Sequence, residues 1–402
     1  MRRKWEHLLD KFRYLWYLLQ YAAALMLCPF LKRDPRYRDL WIIAERGTDA
    51  RDNASHLFRY IRQNHPQINI CYIISRDSPD RPAMEALGRV VDYRSFAHYL
   101  AFAAARMKIS THIMGFSPEM WLFKKVDEYF TIPGAKIFLQ HGVIKDDLPY
   151  LYGDRTRLDL FVCGAKREWE YVNTTFRYPE GVVRYLGLCR FDKLASQPRG
   201  NEKVLLLMPT WRSYIQDGVF TDQHFMQTDY YRSFQSLLTS PRLAQLLEDH
   251  GYRLKFYPHH EVLRYLHCFR VAGERVEIVD PKKLGVQQAL IEADALLTDY
   301  SSVFFDFGYM MKPVLHYQFD QEQFRRHHYQ EGYFSYERDG FGPVCTEEDQ
   351  LLDALAHLLA GQCRVEEPYR SRIEGFFYVR DSENCRRNFQ AIEEIWKRDY
   401  EN

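Results

Sequence analysis

The sequence predicts an α/β protein of two domains, each built on a parallel sheet covered by helices. Three observations carry that expectation. Apolar runs recur along the chain, near-continuous rather than alternating, as in strands buried on both faces. Helical patterns separate them, the order that builds parallel sheets. The chain has 402 residues, 46% hydrophobic and 27% charged. That is the length of about two domains with a globular composition, which excludes disorder, collagen and polytopic membrane architecture.

Along the chain, the first feature is a charge asymmetry. Lys+Arg total 55 against 54 Asp+Glu, a net charge of +1, so no nucleic-acid partner is expected. Residues 1–38, however, hold nine Lys/Arg and three Asp/Glu. Within them Tyr14–Leu31 reads YLWYLLQYAAALMLCPFL, eighteen residues without a charge. A spanning helix needs ~20 apolar residues, so the run is at the short edge. Small residues resembling a cleavage site are not evident, which argues against a cleaved signal peptide. An interfacial helix, a single span and a helix packed on the body all fit. Aromatic residues beside Lys/Arg favour the first, because amphipathic rings settle at headgroup depth while cations meet anionic lipid. Residues 1–38 are expected to form a membrane-associated helical segment.

Strands are expected at 40–45, 68–75, 107–111, 136–140, 158–163 and 182–187. A polar stretch, SQPRGNE (196–202), then reads as a linker. Further strands are expected at 203–208, 253–257, 276–280, 293–298 and 313–317. Helices are expected at 54–63, 166–176 and 234–250. This gives an N-terminal α/β domain at 39–195 and a C-terminal one at 203–375. Residues 376–402, with an amphipathic pattern at 382–399, read as a helix packing back on the body. The 8 cysteines contain no C-x-x-C spacing and read as buried, reduced thiols.

Open α/β sheets bind ligands beyond the carboxyl ends of their strands. The residues following each strand are therefore the candidates. KIFLQ is followed by His141 and Gly142, which places an imidazole at a strand end with a tight turn behind it. Its ordinary pKa suits a general base for a hydroxyl. Lys145 follows and could bind phosphate. KVLLLM is followed by Thr210 and Arg212, a hydroxyl and a guanidinium suited to phosphate or acceptor recognition. RLKFY is followed by His259 and His260, suited to phosphate. Adjacent histidines diverge, so they are not read as a metal site, and neither is His327-His328. The strand ADALLT ends on Asp299, Tyr300, Ser301 and Ser302, before a short buried helix containing Asp306. Ser301 or Ser302 suits an N-cap, and the turn could present N–H groups and hydroxyls to an anion. At each position a purely structural role is the alternative. Neither a phosphate-binding G-x-x-x-x-G-K-[ST] loop, nor a strand-linked G-x-G-x-x-G, nor a G-x-S-x-G elbow is present. Gly181 and Gly187 are too scattered to form a glycine-rich loop.

Taken in order, QHG (140–142), GLCRFDKL (187–194), PTWR (209–212), PHH (258–260), TDYSSVFFDF (298–307) and EGYFSYERDGFGPV (331–344) resemble the CDP-glycerol glycerophosphotransferase family. These are teichoic acid glycerol-phosphate primases, polymerases and capsule-pathway relatives. DARDNASHLFRYI (49–61) is similar to the family's early D-N helix start. The resemblance covers roughly residues 40–375. It implies two Rossmann-like domains facing a cleft, the glycosyltransferase-B type. It also implies a peripheral enzyme on the cytoplasmic face of the membrane, moving glycerol phosphate from CDP-glycerol to a lipid-linked acceptor and releasing CMP. By motif, His141 resembles the catalytic base and His259 the second essential histidine. The Asp299–Ser302 turn resembles the donor pyrophosphate site, and Arg190 and Asp192 are retained from G-x-P-R-N-D. Cys189 and Phe191 depart from that motif, and Val143-Ile144 stand where a proline is common.

No cofactor is expected; Asp299 and Asp306 would hold a divalent cation if one assists. The proposed partners are CDP-glycerol, a lipid-linked saccharide or polymer, and an anionic membrane surface. A CDP-ribitol-using transferase and a nucleotide-sugar glycosyltransferase of the same fold are the alternatives. A non-catalytic polymer-binding protein is the rival of another class.

Overall fold

The computed structural model describes residues 2–31, 33–196, 202–215, 221–281, 283–327 and 330–401. Of the expected linker 196–202, residues 197–201 lie outside the described residues, as does His328. The chain forms two units. The first comprises residues 1–143, 149–192 and 381–402; the second comprises 144–148 and 193–380.

The first unit holds β1 (Trp41–Ala44), β2 (Ile70–Ile74), β3 (Val90–Asp92), β4 (Met107–Ser110) and β5 (Ala135–Phe138). The short β6 (Asp146–Asp147) belongs to the second unit, and β7 (Leu160–Cys163) and β8 (Val183–Tyr185) complete the first. The sheet order is β3-β2-β1-β4-β5-β7-β8, parallel throughout. Registers such as Ile43↔Ile109 and Ile109↔Ile137 bring the apolar runs side by side. Every residue of β1, β2, β4, β5 and β7 is buried, the reason these runs are apolar without alternation.

The second unit holds β9 (Val204–Leu207), β10 (Arg253–Phe256), β11 (Val276–Ile278), β12 (Ala295–Thr298), β13 (Val314–Tyr317), β14 (Gln330–Glu331) and β15 (Val344–Cys345). Its parallel sheet has the order β11-β10-β9-β12-β13-β15, and β14 pairs antiparallel with β6. The strands missing from the sequence reading, β3, β6, β14 and β15, have two or three residues each. Such stretches are too short to show a period.

The single helix expected at 234–250 is instead two, Asp229–Thr239 and Pro241–His250. Ser240 caps the second, accepting the Leu243 N–H at 3.3 Å, and Pro241 occupies its first position.

The terminal helix Asn384–Trp396 belongs to the first unit and packs on the helix Asn53–Asn64. Phe389 stacks on His65 at 3.8 Å between ring centroids. Gly187 sits at φ +79 beneath the start of that helix, and a Cβ there would meet Asn384 Oδ1 at 1.8 Å. The glycine has a packing role, not a phosphate-loop role.

The helix Arg2–Leu31 buries Tyr21 and Ala24, and Tyr21 meets Phe102 and Phe123 at 5.2 Å each. Its segment Phe12–Leu31 is long and apolar enough to cross a membrane by length and composition. Its outward stripe is apolar: Phe12, Trp16, Leu19, Met26 and Phe30 are all exposed. None of the eight cysteines forms a disulfide among the described residues, and seven are buried.

Candidate functional site

In the first unit the strand order reverses between β1 and β4, the position at which open α/β sheets bind ligands. The loop after β1 carries Asp52, the loop after β4 carries His112, and the loop after β5 carries His141. His141 Nδ1 lies 2.6 Å from Asp52 Oδ2. The other oxygen of Asp52 accepts from Arg190 Nη1 at 2.9 Å. Burial alone would raise the Asp52 carboxyl, but Arg190 and then His141 outweigh it and hold it below the usual carboxylate range. An ionised Asp52 only accepts hydrogen bonds, so Nδ1 carries the proton. In the neutral ring Nε2 is then the basic nitrogen, on a side chain that is 68% exposed.

The frame around this pair is buried. Asn53 donates from Nδ2 to the Gln140 carbonyl at 2.7 Å and accepts the Arg190 N–H at 2.9 Å. Gln140, not Gly142, makes the left-handed turn that aims His141, with φ +63. Its amide is held by the Val162 carbonyl at 2.7 Å and by Glu168 at 2.9 Å, which supports the strained backbone. Glu45 accepts the N–H groups of Arg51 and Asp52 at 2.9 and 2.6 Å. Burial, then the nearby Asp52 charge, push Glu45 up to about 8. The His112 ring lies 4.8 Å from His141, and burial lowers it to about 4, so it packs as a neutral ring.

Arg190 therefore reaches the His141 ring through Asp52 and donates directly to the His141 carbonyl at 2.5 Å, whereas Asp192 goes elsewhere. Its carboxylate accepts the N–H groups of Asn384 and Cys385 at 2.7 and 2.8 Å, at the start of the terminal helix. The motif departures Cys189 and Phe191 are buried, as are Val143 and Ile144. These substitutions fall on packing positions.

In the second unit the order reverses between β9 and β12. Asp299 is fully buried after β12. Its Oδ1 accepts the N–H groups of Thr210 and Tyr300 at 2.7 and 2.6 Å, and its Oδ2 accepts from Arg212 at 2.8 Å. Arg212, 1% exposed, also clamps Asp320 through Nε and Nη2 at 2.7 and 3.0 Å and donates to the Thr210 carbonyl at 2.6 Å. The rings of Phe324 and Tyr300 lie 5.0 and 5.2 Å from the guanidinium carbon. Burial would lower the Arg212 pKa; the two carboxylates outweigh it and raise it. The expectation that Arg212 meets phosphate gives way to that of an internal brace, because four of its five N–H groups bond to Asp320, Asp299 and the Thr210 carbonyl and the side chain is buried. Asp299 likewise has both oxygens engaged, Oδ1 by two N–H groups and Oδ2 by the Arg212 guanidinium.

The brace fixes the turn that follows. The Tyr300 hydroxyl donates to Asp320 at 3.2 Å, and the Tyr336 hydroxyl to the Tyr300 carbonyl at 3.1 Å. Gln318 donates to the Asp299 carbonyl at 3.0 Å. The backbone N–H groups of Ser301 and Ser302 meet no acceptor among the described residues. Ser302 stands at the N-cap of the helix Val303–Tyr309 without a side-chain capping bond, and Ser301 Oγ accepts the Val303 N–H at a long 3.5 Å. The expected serine cap is thus nearly absent. Asp306 is buried within that helix.

His259 caps the 3₁₀ helix His260–Cys268 through Nδ1, 3.3 Å from the Glu261 N–H, and stacks on Trp211 at 5.9 Å. His260 pairs with Glu261 at 3.3 Å. Lys145 is held by Asp146 at 2.6 Å and lies over the Tyr336 ring. The Thr210 hydroxyl is buried and meets no partner among the described residues. The sequence reading did not select Asp52, Asn53, Glu45, His112, Asp320, Gln318 or Tyr336; only the D-N helix start at 52–53 carried a local signal.

The profile of the family described as CDP-Glycerol:Poly(glycerophosphate) glycerophosphotransferase matches residues 28–394. The Minor teichoic acid biosynthesis protein GgaB of Bacillus subtilis (strain 168) is 30% identical over 372 residues, 89% of this chain and 40% of that protein. A Teichoic acid poly(glycerol phosphate) polymerase of Staphylococcus epidermidis is 22% identical over 368 residues, 82% of this chain and 46% of that protein. The chain thus spans less than half the length of these curated relatives. The solved structure of the Wall Teichoic Acid Polymerase TagF has the same fold, with a TM-score of 0.66 at 18% identity over 98% of each chain.

Proposed function

Because the chain belongs to the CDP-glycerol:poly(glycerophosphate) glycerophosphotransferase family, we propose that it transfers glycerol phosphate from CDP-glycerol to a hydroxyl of a lipid-linked acceptor in teichoic acid or capsular polymer synthesis. The observation that carries this reading is the Asp52–His141 pair, a largely exposed histidine oriented through Nδ1 by a part-buried carboxylate. His141 Nε2 takes the proton of the acceptor hydroxyl. The oxygen attacks the β-phosphorus of CDP-glycerol, the bond from that phosphorus to the bridging oxygen breaks, and CMP leaves. Phosphoryl transfer rests on positioning and on donors aimed at the phosphate oxygens. The N–H groups of Ser301 and Ser302, which meet no acceptor among the described residues, and their weakly engaged hydroxyls support a donor pyrophosphate role, with His259 as the second histidine. Arg190, Arg212, Asp192 and Asp299 act through other residues in this reading.

Phosphorus NMR of the protein turning over CDP-glycerol with a synthetic lipid-linked acceptor tests the reaction. A new phosphodiester signal is expected together with CMP. A sugar-bearing product with a released nucleoside diphosphate overturns the assignment.

We also propose a peripheral position on the cytoplasmic face of the membrane, held by the apolar stripe of the Arg2–Leu31 helix. Trp16 is 60% exposed and Met26 71%. Trp16→Glu with Met26→Glu is expected to weaken binding to anionic vesicles by about tenfold or more, leaving the Tyr21 contacts intact. High salt should weaken binding of the unaltered chain as well. Retention that salt and both substitutions leave unchanged overturns the interfacial placement.

A further inference from the structure

Asp222, His267 and Cys268 form a group that the proposed reaction does not use. Asp222 opens the short helix Asp222–Met226, and His267 and Cys268 close the 3₁₀ helix whose N-cap is His259. Their ligand atoms all lie within 4.8 Å of one another. Asp222 Oδ2 is 2.7 Å from His267 Nε2, and Cys268 Sγ is 3.7 Å from the same nitrogen.

That shared nitrogen decides between two chemistries. An activated cysteine needs its thiol on one ring nitrogen and the orienting carboxylate on the other. Here both partners converge on Nε2, which holds at most one proton, so the ring cannot relay a proton between them. Three lone-pair donors around one point are instead what a borderline-soft cation selects: a thiolate, an imidazole and a carboxylate. Tetrahedral bonds of ~2.0 Å to nitrogen and ~2.3 Å to sulfur set those two atoms about 3.5 Å apart, near the observed separation. The carboxylate would have to move out by about half an ångström from its hydrogen-bonded position, and the Asp222 side chain is 54% exposed.

We propose that Asp222, His267 and Cys268 bind a divalent cation of the zinc class, with a solvent molecule as fourth ligand. The ion clips the Asp222–Met226 helix to the far end of the 3₁₀ helix that begins beside His259. Binding displaces the thiol proton of Cys268 to solvent, and the Nε2 proton that His267 shares with Asp222 passes to solvent or to Nδ1 of the same ring, because a ligating thiol and a ligating ring nitrogen must both be deprotonated. The site is a structural clip on the histidine-bearing element, and its existence is independent of the reaction proposed above.

Cobalt(II) added to the purified full chain tests it through the thiolate-to-metal absorption in the near ultraviolet, with zinc as competitor. One equivalent of cobalt is expected to produce the band, and zinc to bleach it. The band is expected to be lost in Cys268→Ser and to weaken at least tenfold in apparent affinity in His267→Ala and Asp222→Asn. The last two change exposed side chains, so they report on ligation even if the buried Cys268→Ser chain folds poorly. No band at one equivalent overturns the site. So does a band that persists unchanged in His267→Ala and Asp222→Asn, since it would then arise at another cysteine.

Discussion

Replacing His141 by alanine is expected to lower kcat by roughly 10²–10⁴ while leaving CDP-glycerol binding nearly unchanged. The base acts as the acceptor hydroxyl ionises, so its loss falls on the chemical step. Asp52→Asn is expected to lower kcat as well, by a smaller factor. It removes the charge that fixes the Nδ1 proton and leaves the side chain near its place between His141 and Arg190. Steady-state kinetics with calorimetric donor titration separates the two quantities. Near-normal turnover in His141→Ala refutes the base assignment. A donor affinity that falls together with kcat would move His141 to the donor side.

The second large effect is on stability. Arg212→Met leaves the buried carboxylates of Asp299 and Asp320 facing each other without a cation, a change expected to cost about 3–5 kcal/mol. Arg212→Lys is expected to recover little of this, because a single ammonium cannot reproduce the planar fork that holds Asp320 by two bonds and Asp299 by a third. Ser301→Ala with Ser302→Ala makes the contrast. Those hydroxyls make almost no internal bonds, so the denaturation midpoint should stay put while CDP-glycerol binding weakens. Denaturant melts beside calorimetry decide it. A stable Arg212→Met chain with weakened donor binding would return Arg212 to the phosphate.

His141, Thr210, His259 and Asp299 are legible as candidates in the sequence because each follows an apolar run, and such runs are buried parallel strands here. The break at Ser240-Pro241 escapes the expected 234–250 helix, because the longer apolar pattern obscures the local start signal of a capping serine before proline. The Ser301-Ser302 segment is legible as a turn but not as an uncapped one. Whether a hydroxyl folds back on its own helix depends on a few tenths of an ångström that composition does not encode.

The sequence by itself determined the two parallel α/β sheets, the strand ends that hold the candidate residues and the family. These depend on period, on burial and on residues close together in the chain. Only the tertiary structure decided which charge meets which. Asp52 reaches His141 across 89 positions, Arg212 reaches Asp320 across 108, and Asp192 reaches Asn384 across 192. The physical reason is strand order. In a parallel sheet the loops that become neighbours are set by which strands pair, and β1 lies beside β4, as β9 lies beside β12, through crossovers of dozens of residues. A charged side chain in one of those loops carries no local mark of its partner. Its role as ligand, base or brace is fixed only when the sheet closes around it.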